Sequence, residues 1–161
     1  MEVDEAAHAL EHSIEVQLPF LEYVLPKPKF VPLQVRFGSY RSLEQVARVV
    51  REATAEADVL LLASTDFSHY VSVEEARRLD HHAIEAILAR DPKRLYDVVE
   101  REEISMCGIA PTTVLLSALA GRDLVPTLLR WGHSGEVERM AQVVGYAAIV
   151  LEEPGPGPSG P

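Results

Sequence analysis

The apolar positions of this 161-residue chain follow two rhythms. Leu43, Val46, Ala47, Val50 and Ala53 recur at helical spacing behind the capping box Ser42-Leu43-Glu44-Gln45, which predicts a helix over 42–56. Ala76, Leu79, Ala83, Ile84, Ile87 and Leu88 make a second stripe, on a predicted helix over 73–90. Asp91-Pro92 opens another helix, carrying Leu95, Val98 and Val99. After the break at Cys107-Gly108, Pro111 opens a helix that is apolar almost all round, and Gly121 ends it. Between these lie runs with no helical period. Val59, Leu60, Leu61, Leu62 and Ala63 read as a strand buried on both faces. Residues 30–35 read as a strand in which Pro32 marks an early or edge position; residues 127–131 and 143–151 read as two further strands. Pro19 places a short helix from Leu18, and Pro26 and Pro28 end it. Strands alternating with helices predict an α/β domain over residues 1–151. Residues 152–161, rich in proline and glycine, are expected to be a disordered tail.

The run 59–63 leads directly into Ser64-Thr65-Asp66-Phe67-Ser68-His69-Tyr70. Ligands in open α/β sheets bind just beyond the carboxyl ends of such strands. Asp66 and His69, three residues apart there, suit acid/base or metal chemistry, with Asp66 as orienter. The competing reading is a turn capped by Asp66 with His69 merely exposed. Cys107 precedes a helix N-terminus, whose positive dipole end favours thiolate, the form that binds metal or attacks an electrophile. Its competing reading is a buried, inert cysteine. Glu11, His12 and Glu15 form a third cluster, with His12 and Glu15 on one side of a helix or turn; the alternative is a solvated helix start, and His8 has the same standing. His81 and His82 point about 100° apart and read as surface. Gly132-His133-Ser134-Gly135 lacks the residue that a nucleophile elbow needs between serine and the second glycine.

Charge narrows the partners. Twenty-five acidic against fifteen basic residues give a formal net charge of -10, a poor match for nucleic acid or anionic membranes. The single cysteine excludes an internal disulfide framework and points to a reducing, cytoplasmic setting. The acidic start is no signal peptide, and no apolar stretch approaches the roughly 18 residues of a membrane span.

Three motifs stand in order: Glu11-His12-Ser13-Ile14-Glu15-Val16-Gln17-Leu18-Pro19-Phe20, then residues 64–70, then Cys107-Gly108 with Pro111 and its apolar helix. Together with Val143-Val144-Gly145-Tyr146-Ala147, they resemble the Memo family, including the bacterial AmmeMemoRadiSam system protein B. The resemblance implies a fold like that of the class III extradiol dioxygenases, a mixed sheet flanked by helices. It implies an acid/base role for His69 beside Asp66, a metal-ligand role for Cys107, and a binding role for Glu11 and His12. A thiolate donor suits iron(II), copper or zinc. The family's two N-terminal histidine motifs, Pro-His-Ala-Gly-Tyr and Gly-Pro-x-His, do not occur here. The chain therefore reads as the C-terminal half of such a protein, from a truncated gene model or a fragment in preference to a genuine half-length relative, and metal affinity in it alone is expected to be weak. Unpaired strand edges and uncovered apolar surface should follow. Three functions compete: a metal-dependent, dioxygenase-like oxidoreductase on a small molecule, a binding or signalling module for a peptide or protein, and an accessory to a radical SAM enzyme.

Overall fold

A computed structural model describes residues 3–155. The chain divides into two units, residues 1–37 and 38–161. In the first, α1 (Glu5–His8) is capped by Asp4, whose carboxylate accepts from the Ala7 N–H at 3.1 Å. A 3-10 turn over Glu15–Gln17 leads into α2 (Leu18–Val24), with Pro19 in its first turn as its lack of an N–H requires. The strand expected at 30–35 does not form. Those residues carry no regular hydrogen bonding, and Phe30, Val31 and Leu33 are exposed. A strand needs a pairing partner, and the prolines at 28 and 32 cannot donate to one.

The second unit holds the core. α3 (Tyr40–Thr54) starts one turn before the sequence signal, because Ser39, not Ser42, caps it: the Ser42 N–H donates to Ser39 Oγ at 3.3 Å. α4 (Val73–Leu88) is capped by Ser72, and α5 (Pro92–Arg101) by Asp91. α6 (Ile109–Ala118) is buried along most of its length, as its largely apolar sequence predicts. Arg51 of α3 donates to the Ser117 and Ala118 carbonyls, satisfying acceptors that the end of α6 leaves open. Gly121, at φ 86°, turns the chain away. Phe67, Ile84, Leu95, Val98 and Met106 are among the buried residues of the core, and Leu128, Trp131 and Ile149 pack against it.

The sheet has three strands in the order β1-β3-β2, formed by β1 (His69–Val71), β2 (Val125–His133) and β3 (Val143–Glu152). Both pairings are antiparallel. The fold is thus α/β, but the mixed sheet expected is wholly antiparallel among the described residues. The largest departure is at 59–63. This run is neither paired nor buried: Leu60 is 77% exposed, and Val59 and Leu62 are exposed with it. Its composition demanded a covered strand, but no neighbouring strand is offered to it among the described residues.

Glu152, assigned to the tail from the sequence, belongs to the sheet instead. Glu152 closes β3, and Glu153 accepts from Arg122 at 2.7 Å. Residues 156–161 lie outside the described residues. No helix among the described residues is long and apolar enough to cross a membrane.

Candidate functional site

The segment after the exposed run is pinned at one point. The Phe67 N–H donates to the Gly145 carbonyl, and the Gly145 N–H donates to the Ser68 carbonyl, both at 2.9 Å. This puts the Phe67 side chain in the core and leaves Asp66 and His69, on either side, partly accessible. His69 is then fixed by the loop before α6. Its N–H donates to Ser105 Oγ at 2.7 Å, and its ring Nδ1 lies 2.6 Å from the Ser105 carbonyl. A carbonyl can only accept, so Nδ1 carries a proton, and Nε2 is the nitrogen left for chemistry.

Nε2 faces Asp66, at 3.1 Å from Oδ2. The other carboxylate oxygen, Oδ1, accepts from the Cys107 thiol at 2.8 Å. One carboxylate therefore joins a thiol to an imidazole. The seam is fastened by Thr65, whose Oγ1 accepts from the Gly108 N–H at 2.9 Å and donates to the Asp66 carbonyl at 2.6 Å. Immediately after His69, Tyr70 takes φ 56°, a left-handed conformation that costs a tyrosine energy.

Asp66, His69 and Cys107 are brought together. The expectation of a thiolate at Cys107 is not met. Partial burial, and then the hydrogen bond to the Asp66 carboxylate, push its thiol above the ordinary value. Gly108, not Cys107, caps α6, and the nearby carboxylate opposes the helix dipole. Glu11 and His12 belong to the first unit, where each engages local partners. Glu11 accepts from the Ser13 N–H at 2.6 Å and from Gln34 at 3.2 Å, and the Ser13 bonds hold its carboxyl below the usual range. His12 Nδ1 lies 2.8 Å from the Leu10 carbonyl. His82 is less idle than its surface reading: it meets Glu102 at 2.7 Å. Ser134 of the rejected elbow accepts from the Val144 N–H at 3.1 Å, in a strand-to-turn setting. Thr65 and Ser105 were missed by sequence reasoning. Their only signal was position, one residue before Asp66 and two before Cys107.

The residues present do not, as a set, fit a metal ion. Asp66 already divides its oxygens between Cys107 and His69, and no group of three histidine, cysteine, aspartate or glutamate side chains among the described residues is arranged to hold one.

Fold and site together define an α/β protein with a thiol–carboxylate–imidazole group beside an edge strand. The profile of the family described as Memo-like protein matches residues 1–150, and the chain belongs to that family. A MEMO1 family protein of Methanopyrus kandleri is 40% identical over 156 residues, covering 94% of this chain and 55% of the relative. Relatives from Methanosarcina acetivorans and Archaeoglobus fulgidus are 39% and 38% identical, with 59% and 58% of their lengths covered. The chain thus spans a little over half the length of these relatives.

Proposed function

We propose that this chain supplies the proton-handling wall of a metal-dependent, dioxygenase-like oxidoreductase site acting on a small molecule. The observation that carries the reading is the run of contacts in which Cys107 donates to Asp66 and the other carboxylate oxygen stands 3.1 Å from His69 Nε2. A proton leaving the thiol has a carboxylate oxygen at 2.8 Å to receive it and an imidazole beyond. Ser105 fixes the ring so that Nε2 points along this path. Cys107 is the one donor this wall would bring to iron(II), copper or zinc. The other donors would come from outside the described residues, in keeping with the extra length of the relatives.

The test is metal uptake and substrate-dependent oxygen consumption, measured on this chain alone and on this chain co-produced with the remaining portion of an archaeal relative. The reading expects uptake in the second case, its loss on Cys107→Ala, and loss of oxygen consumption on His69→Ala. Absence of metal uptake by the combined protein would defeat it.

A second reading has one observation in its favour. Two clefts lie away from this group, one lined by Arg90, Leu119, Arg122 and Leu124, the other by Tyr40, Arg48 and Arg51. A solvent-accessible Asp66–Cys107 group suits a module that binds a peptide or protein, whether in signalling or beside a radical SAM enzyme. Oxygen consumption abolished by His69→Ala would exclude it.

A further inference from the structure

Asp80 breaks the pattern of its helix. It sits on the apolar stripe of α4, between Ala76 and Ala83, and is completely buried. A carboxyl group in such a place needs strong donors. It has two, from different elements. Oδ1 accepts from the Ser68 N–H at 3.0 Å, and Oδ2 accepts from Trp131 Nε1 of β2 at 2.8 Å. A third element makes room for it. A side chain on Gly145 of β3 would run into Asp80 Oδ2, and its Cβ would stand 2.8 Å from Cγ. Gly145 has no unusual backbone angle, so glycine is needed there for space. The same Gly145 holds Phe67 and Ser68 by its two backbone bonds.

We propose that Asp80 is a positioning residue for the Cys107–Asp66–His69 path, a role that rests on the functional reading above. Ser68 lies between Asp66 and His69, with its N–H on Asp80 and its carbonyl on Gly145. Both its backbone groups are therefore fixed from behind, and the spacing of the side chains on either side is fixed with them. Removing the Asp80 carboxyl leaves the buried Ser68 N–H and the half-buried Trp131 Nε1–H without acceptors. The segment must then shift toward water to satisfy them, and Asp66 shifts with it, away from Cys107.

Cys107 is the only cysteine, so its alkylation by iodoacetamide under native conditions reads this contact. Asp66→Asn, which removes the carboxylate holding the thiol proton, is expected to raise the rate about tenfold. Asp80→Ala should raise it to a similar level. Asp80→Asn keeps an acceptor for Ser68 but turns an amide donor toward Trp131. Combining it with Trp131→Phe removes that conflict and should return the rate to within about twofold of Trp131→Phe alone. Leu95→Ala, a core truncation away from the path, controls for general loosening and should stay near wild type. If Asp80→Ala does not fold, Asp80→Asn replaces it, and the rescue by Trp131→Phe remains readable. The positioning role is overturned if Asp66→Asn accelerates alkylation and the Asp80 variants do not. It is also overturned if Leu95→Ala accelerates it equally or rescue fails. No acceleration in Asp66→Asn removes the proton path itself, and the role of Asp80 with it.

Discussion

Gly108→Ala tests the seam that joins the two halves of the site. A Cβ at position 108 would collide with the Thr65 side chain and stand 2.9 Å from the Ser64 carbonyl oxygen. Thr65 cannot simply rotate away, because its hydroxyl both accepts from the Gly108 N–H and donates to the Asp66 carbonyl. The cost has two parts. Losing the Gly108–Thr65 hydrogen bond costs about 0.5–1.5 kcal/mol. Pushing a packed segment aside costs about 1–3 kcal/mol. Restricting the unfolded chain returns about 0.4–1 kcal/mol. The net expectation is a loss of about 0.5–4 kcal/mol, read by urea denaturation followed by circular dichroism. Because Asp66 follows Thr65 directly, the same substitution should also accelerate alkylation of Cys107. Gly121→Ala is the contrast: its φ of 86° makes alanine strained, but nothing lies within 4 Å of the added Cβ. It should lose stability without changing Cys107. Stability of Gly108→Ala within about 0.5 kcal/mol of wild type would refute the packing argument.

Three further expectations follow from burial and charge. Leu95 is completely buried in the core, so Leu95→Ala should cost about 2–5 kcal/mol in urea denaturation, and a loss under about 1 kcal/mol would contradict the core assignment. Replacing Leu60 and Leu62 by lysine should change stability by less than about 0.5 kcal/mol per site and improve solubility, because both are exposed. A large loss would mean that the run is covered after all. Cys107 titrates above its ordinary value of 9.0 in the folded chain. The unfolded chain therefore releases this proton first, so stability falls as pH rises from about 9 through the folded-state value. Urea midpoints between pH 8 and 10.5 should fall less steeply in Cys107→Ala. Tyr40, raised first by burial, keeps part of the slope.

The helices were legible because their signals are local. The apolar stripe of α4 and the Asp91-Pro92 start of α5 depend on neighbours within one or two turns, and both helices formed where the pattern put them. α3 began a turn early because the capping box pointed to Ser42, whereas Ser39, a cap-competent serine three residues before it without the glutamine partner, takes the cap. The run at 59–63 failed for a non-local reason: an apolar composition states that a strand would be covered, but not whether a partner is supplied. In the site, the ordered motifs named Asp66, His69 and Cys107. The direction of the thiol's shift was not legible, since it depends on which carboxylate oxygen faces Sγ. Asp80 left a readable trace, an acid on the buried stripe of a helix. Its partners, Ser68 and Trp131, are 12 and 51 residues away in sequence and become visible only in the fold.

The linkage of Cys107, Asp66 and His69 into one run of contacts is measured most directly on the imidazole itself. Long-range proton–nitrogen NMR correlation of the histidine rings, at one pH near neutrality, reports the bonding of each His69 nitrogen. The path predicts that Asp66→Asn moves the His69 Nε2 resonance strongly and that Cys107→Ala moves it in a smaller but clear way. Nδ1, held by Ser105, and the rings of His81 and His82 should stay in place. A His69 Nε2 resonance indifferent to both substitutions would contradict the account.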